Sequence, residues 1–297
     1  MKNISLFIVI VLIISNLHFS CTKVEDIVDF PIKDPKLTLN CYFHPDSVWA
    51  FSVSRSLSVI DNANLSMVTD ATIKLYENNN LLATLTSAAA DQRYYFYGSK
   101  PKPGNEYKIE ISHPKYKSIS AVETVPQAIN FNVEKFKIVD SSTYYDYWLQ
   151  KSVGTLKASV NIRLSDPKGE KNYYRLICYY YDSIYGGVIN QVWLESENIS
   201  VEKKYPNGLL FSDKYFDGNS YEMNFKFEDY SFFSGKTYYF VLESMNAARF
   251  NYEKSIYLYW DSEGNPFSEP VQVYNNIDNG YGIFAAYNSK LLKYYVK

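Results

Sequence analysis

From residue 36 onward, apolar and polar side chains alternate with a period of two in short runs separated by turn residues. Leu37, Leu39, Cys41 and Phe43 alternate with Thr38, Asn40, Tyr42 and His44, as a half-buried strand requires. Further runs of this kind lie at 48–54, 71–76, 81–86, 93–97, 106–112 and 118–125, with turns supplied by Asn78-Asn79-Asn80 and by 100–104. Seven short strands in about ninety residues predict an immunoglobulin-like or fibronectin-like sandwich over 36–127. Pro126 marks its exit, because proline cannot donate to a ladder.

The second half repeats the alternation with longer runs, at 130–139, 155–164, 173–181, 191–197, 221–228 and 237–243. Asp166-Pro167-Lys168-Gly169 and Pro206-Asn207-Gly208 read as turns. Neither Gly nor Pro interrupts 247–260, so one helix is expected there. The predicted class is all-β, with a larger, Tyr-rich antiparallel domain at 128–297 carrying that helix. No fixed-period repeat or low-complexity linker separates the halves, so the two domains are expected to pack directly on each other.

The chain opens differently. Lys2 precedes an apolar run, Ile4 to Ile14, which ends at Ser15-Asn16; this has the layout of a secretory signal over 1–20 and is shorter than the roughly 18–20 residues a spanning helix needs. Ser20-Cys21 resembles the lipobox of bacterial lipoproteins, in which the cysteine is acylated, for instance by palmitate. An uncleaved anchor, or cleavage elsewhere, is the other reading. The tether 21–35 contains Lys23, Glu25, Asp26 and Asp29. It is similar to the export signal that sends lipoproteins of Bacteroidota-type bacteria to the outer face of the outer membrane, and reads equally as a solvated spacer.

Composition narrows the function classes. Among 297 residues, 30 basic side chains face 32 acidic ones, a net charge of −2, without the clustered Lys and Arg that nucleic-acid binding needs. Three Cys and three His are too few for a zinc site or a disulfide framework, so neither metal nor cofactor is expected. Cys41 and Cys178 read as buried thiols. His44 and His113 belong to no nucleophile motif. Glu195, Glu197, Glu228 and Asp229 could supply the paired carboxylates of a glycosidase, but a solvated strand face explains them too, and 261–265 reads as a helix-ending turn.

The excess lies in aromatics, 18% of residues with 30 Tyr. Sheet propensity accounts for many of them. Tyr144, Tyr145, Tyr147 and Trp148, placed by the sequence in a long loop before Gly154, form the best candidate contact surface.

Several longer series carry a family resemblance: Val53 to Ser56, Val59 to Asn62, Val68 to Tyr76, Lys102 to Tyr107, Pro114 to Tyr116, Val122 to Pro126, Asn265 to Pro270, Val273 to Ile277 and Asn279 to Phe284. Together they resemble outer-membrane lipoproteins of Bacteroidota that are classified only as a domain of unknown function and are often encoded beside a TonB-dependent receptor. The resemblance implies an address, lipid-anchored and facing the cell exterior, and a partner, that receptor; a glycan or peptide ligand is suggested instead by the aromatic clusters, whose exposed rings can stack on sugars or line a peptide groove. The resemblance implies no active site. Members commonly carry Gly where this chain has Asp91-Gln92 and Lys115. Asp46-Ser47-Val48 and Asp182-Ser183-Ile184 resemble the O-glycosylation sequon of these bacteria, at Ser47 and Ser183. The competing classes are a carboxylate-dependent glycan hydrolase and a structural or adhesive envelope protein.

Overall fold

The computed structural model describes residues 34–58, 66–148, 150–182, 188–205, 208–232, 236–263 and 267–296. Its first seven strands are β1 (Leu37–Phe43), β2 (Trp49–Arg55), β3 (Thr72–Glu77), β4 (Asn80–Leu85), β5 (Tyr94–Phe96), β6 (Glu106–His113) and β7 (Tyr116–Thr124). β4-β3-β6-β7 form one sheet, and β1-β2-β5 lie at the end of another. Leu39, Phe43, Trp49 and Phe51 from one layer meet Ile73, Leu75, Ile109 and Ile111 from the other in a single core. This is the sandwich the alternation predicts. Asn78 and Asn79 both adopt positive φ, 48° and 67°, as the two-residue hairpin between β3 and β4 demands. Tyr107 opens β6 with its hydroxyl accepting from Lys102 N at 2.9 Å and donating to Glu77 Oε1 at 2.6 Å, the corner tyrosine of immunoglobulin-like folds. Burial around the ring, and then that carboxylate, push the Tyr107 hydroxyl up to about 12.

The second half comprises β8 (Phe131–Asp146), β9 (Lys151–Ser165), β10 (Tyr173–Asp182), β11 (Val188–Val192), β12 (Leu194–Glu195), β13 (Val201–Tyr205), β14 (Gly208–Ser212), β15 (Ser220–Phe232), β16 (Thr237–Met245), helix α1 (Ala247–Ser262) and β17 (Tyr281–Tyr295). β12-β15-β9-β8 make a sheet that packs on β13-β14-β10-β16-β17 through Val160, Ile162, Leu176, Phe211, Phe225 and Phe240.

β17 belongs to both sandwiches. Its first half pairs in parallel with β1, from Thr38↔Tyr281 to Phe43↔Ala286, and its second half pairs antiparallel with β16, from Met245↔Tyr287 to Thr237↔Tyr295. A nine-stranded sheet therefore runs through the two halves among the described residues. The core of the first sandwich accordingly draws in Ile277, Phe284 and Ala286, from outside 36–127. Gly282, at φ 108°, sits where a Cβ would stand 1.9 Å from the Leu39 carbonyl oxygen; only glycine lets the two strands approach there.

Helix α1 covers the outer face of this sheet. Asn246 caps it by accepting from Arg249 N at 3.0 Å, which satisfies one of the free donors of the first turn. Phe250 packs on Leu210 and Met245, and Ala248 on Ile283 and Ala285. A helix on one side and a core on the other bury Ile283 to Ala286 on both faces.

Candidate functional site

β8 and β9 form a long hairpin paired from Phe131↔Leu164 to Asp146↔Lys151. The expected loop at Tyr144 to Trp148 is therefore corrected: Tyr144 and Tyr145 lie in the ladder, opposite Val153 and Ser152, and Tyr147 and Trp148 form the turn. Alternation hid this because β8 is exposed at every residue from Lys137 to Tyr145, leaving no buried phase to read. At the tip Tyr147 is 84% exposed and Trp148 98%. Trp148 N donates to Asp146 Oδ1 at 2.9 Å, which fixes the turn, and the Tyr145 and Tyr147 rings meet edge to face at 5.2 Å. Along the hairpin, register shifts at Val133/Lys135 and Ile138/Asp140 interrupt the outer strand as bulges do on guarded sheet edges.

A groove of about 770 Å³ opens beside β15, with Val139, Gln191, Trp193, Glu195, Lys226 and Tyr230 in its lining. A neighbouring hollow of about 340 Å³ shares Glu195 and Lys226 with it and adds Glu197. Trp193 and Tyr230 are 67% and 70% exposed. Tyr230 donates to Glu228 Oε2 at 2.6 Å, and Lys157 pairs with Glu228 at 2.8 Å. Those two partners, Lys157 first, hold the Glu228 carboxyl below its usual range.

The groove floor includes Asp229, Ser231 and Tyr180. Asp229 Oδ2 accepts from Lys236 Nζ at 2.5 Å and from Tyr238 OH at 2.6 Å, and Lys236 lies 3.2 Å from the centroid of the Tyr180 ring. Lys236 and Asp229 are both 1% exposed. Burial and the Asp229 charge push the Tyr238 hydroxyl far above the tyrosine range, so it is a permanent donor to that carboxylate.

Trp193 and Tyr230 were missed by sequence reasoning, yet a signal was present. Val192, Leu194 and Ser196 are buried between exposed Trp193, Glu195 and Glu197, and Tyr230 continues the exposed phase of Lys226 and Glu228. An aromatic ring on the polar phase of a strand marks a surface rather than a core.

Of the carboxylates singled out from sequence, Glu195, Glu228 and Asp229 share the groove lining, and Glu197 lies in the adjoining hollow. Asp166, Asp213 and Asp217 bring carboxylate oxygens within 4.8 Å of one another, a grouping the sequence did not reveal. Each already accepts from the chain: Asp166 from Tyr174 OH and Gly218 N, Asp213 from Asn172 N, and Asp217 from Gly169 N. They tie the 166–172 turn to 213–218, and burial raises the Asp166 carboxyl.

Cys41 and Cys178 are free and buried in separate cores, with both thiols pushed up by desolvation. His44 follows β1, where burial lowers its ring; His113 ends β6 and lies 3.1 Å from Asp70. Ser47 closes the turn before β2, its hydroxyl donating to His44 O at 2.9 Å. Cys21, Lys23, Glu25, Asp26, Asp29 and Ser183 lie outside the described residues.

The motifs that carried the family resemblance converge on structure. Glu123 Oε1 accepts from Asn276 Nδ2 at 2.9 Å and Glu123 Oε2 from Asn246 Nδ2 at 2.6 Å. Asn276 also clamps β17 by bonding both Phe284 N and Phe284 O, at 3.0 and 2.8 Å. Burial, opposed by the two amides, raises the Glu123 carboxyl to about 7. Gln92, in a segment the sequence singled out as a departure, has φ 65°, a left-handed conformation that favours glycine.

The family described as "Domain of unknown function (DUF4249)" matches residues 23–291, and the chain belongs to it. No curated protein matches the chain.

Proposed function

With membership of that family as premise, we propose that the protein is a lipid-anchored, non-catalytic binding protein of the outer membrane, facing the cell exterior and assisting a TonB-dependent receptor. The observation that carries this reading is the hairpin tip: four aromatic side chains, Tyr144, Tyr145, Tyr147 and Trp148, each at least half exposed, at the end of strands of 16 and 15 residues. Exposed aromatics cost solvation in a monomer and are enriched at the centres of interfaces. No described helix is long and apolar enough to cross a membrane; in this reading acylation of Cys21 provides the attachment. The tether then confines the protein and its receptor to one surface, which raises effective concentration and lets a modest interface suffice.

Two of the three carboxylates in the groove lining support binding over hydrolysis. A glycosidase needs one carboxyl kept protonated as general acid, whereas Glu228 is held ionised by Lys157 and Tyr230 and Asp229 is committed to Lys236 and Tyr238.

The test is affinity purification of the full-length protein from native membranes. Wild type is expected to recover a TonB-dependent receptor. The variant with Tyr144, Tyr145, Tyr147 and Trp148 replaced by Ala is expected to recover at least roughly tenfold less, as loss of an aromatic hot spot entails. No receptor from wild type, or equal recovery by both, would overturn the proposal.

A further inference from the structure

The groove beside β15 has features that the hairpin tip does not explain. It is concave, its floor is apolar at Ala158, Val192 and Phe227, and two aromatic rings stand exposed in its lining. Tyr230 is oriented before any ligand arrives, because Glu228 holds its hydroxyl and Lys157 holds Glu228. Such preorganisation lowers the ordering cost of binding.

Backbone pairing is a poor way to fill this groove. β12 pairs with β15 only at Phe227 and Lys226, so beyond them on the Phe232 side Glu228 to Phe232 form the free edge beside the groove. That edge is broken: pairing with β9 shifts between Asp229 and Phe232, and Ser231 N is already donated to Asp229 Oδ1 at 2.9 Å. A regular ladder for an added peptide strand is therefore absent, and recognition falls to side chains.

Charge selects the ligand class. Lys157 and Lys226 balance Glu195 and Glu228 across the lining, while Asp229 is paired beneath by Lys236. A lining without net charge gives no preference for an anion or a cation. It offers instead ring faces for an apolar surface, with ammonium, carboxylate and amide groups, the last from Gln191, to exchange hydrogen bonds around it.

We propose that this groove binds a neutral oligosaccharide, a pyranose face stacking on Trp193 and Tyr230 while its hydroxyls bond Gln191, Glu195 and Lys226. This deepens the binding reading above and rests on it. The site lies apart in sequence from the hairpin-tip residues assigned to the receptor, so the two can fail separately.

The experiment uses the full-length protein in a detergent without a sugar headgroup. It is screened against an array of neutral oligosaccharides, and hits are titrated by calorimetry alongside a library of extended peptides. At least one neutral oligosaccharide is expected to bind. Trp193→Ala and Tyr230→Ala should each weaken it roughly tenfold or more. Tyr230→Phe, which keeps the ring and removes its anchor, should weaken it a few-fold with an unchanged melting temperature. Failure of every array member at millimolar concentration, equal affinity in the alanine variants, or binding of peptides in place of sugars would overturn the site. Turnover of a bound sugar would keep the site and overturn the non-catalytic reading; receptor recovery by the tip variant bears on the receptor alone.

Discussion

The two sandwiches share a sheet and differ in what their strands leave uncovered. In the first, strands of three to nine residues bury Trp49, Tyr94 and Tyr107 completely, and the two phenols serve internal bonds. Tyr94 accepts from Ala71 N and donates to Val68 O; Tyr107 makes the corner. In the second, the long hairpin carries Tyr144, Tyr147 and Trp148 out to solvent, as β15 does Tyr230 and the link from β11 to β12 does Trp193. The same residue types act as core in both halves, as Tyr174 and Tyr238 show in the second, and the second half adds a set of exposed rings. Aromatic content alone is therefore uninformative, and the phase of the ring within its strand decides.

The halves also handle charge differently, and the largest expected effect breaks that difference. Glu77 and Lys102 pair at 3.3 Å with Lys102 60% exposed, so Lys102→Ala should cost less than about 1 kcal/mol. Lys236 and Asp229 are buried, and Lys236→Met would strand a carboxylate in the interior. The expected loss is about 3–5 kcal/mol, read by chemical denaturation. Asp229→Asn combined with Lys236→Met should recover much of it, because the uncompensated charge is gone. A single variant as mild as Lys102→Ala would mean that water reaches the pair from the groove.

Next in size is the strand that joins the halves. Gly282→Ala places a methyl group against the Leu39 carbonyl at positive φ, and should destabilise the protein by about 2–4 kcal/mol. The comparison is sharpened by Gly169→Ala: φ is 88° there as well, but a Cβ would meet nothing within 4 Å. That change should cost about 1 kcal/mol, the conformational part alone. Thermal melts of both variants separate steric contact from backbone preference.

Legibility in the sequence followed burial geometry. The runs that became β1 to β7 and most of β8 to β16 were readable because one face of each was wet, so the alternation survived; the helix was readable from the lack of Gly and Pro over 247–260. β17 was not read as a strand. Ile283, Phe284, Ala285 and Ala286 are all buried, between α1 and the core, so the period of two is erased, as it is in strands covered on both sides. β8 failed in the opposite sense, with its outer half exposed on both faces. β13 and β14 lie on either side of a turn that was recognised, 206–208, but all five residues of β14 are buried and alternation vanished again. Of the candidate sites, the tyrosine tip was visible as a cluster. The groove was visible only as isolated polar-phase aromatics on β15 and just before β12, and the Asp166, Asp213 and Asp217 grouping depends on a turn and a 3-10 segment whose approach no local pattern encodes.

The smallest effect concerns pH at the junction of the halves. Glu123 on β7 bonds Asn246, the cap of α1, and Asn276, the clamp of β17, and burial raises its carboxyl from an ordinary value near 4.5 to about 7. Between those two values the folded protein holds a proton that the unfolded chain has released, so stability falls as pH rises through the window. The contribution is fully present below about pH 4.5 and lost above about pH 7. Allowing for partial solvent access, the loss is about 1–3 kcal/mol. Glu123→Gln removes the titration while retaining one acceptor. Its melting temperature relative to wild type should therefore rise from pH 5 to pH 7.5, whatever other groups titrate in both proteins. Glu110, on the neighbouring strand β6, provides the contrast: Lys108 and Tyr76 hold its exposed carboxyl below the usual range, so Glu110→Gln should leave the difference from wild type flat across the same interval. A flat profile for Glu123→Gln would show that water solvates the junction and that the Asn clamps work without a proton.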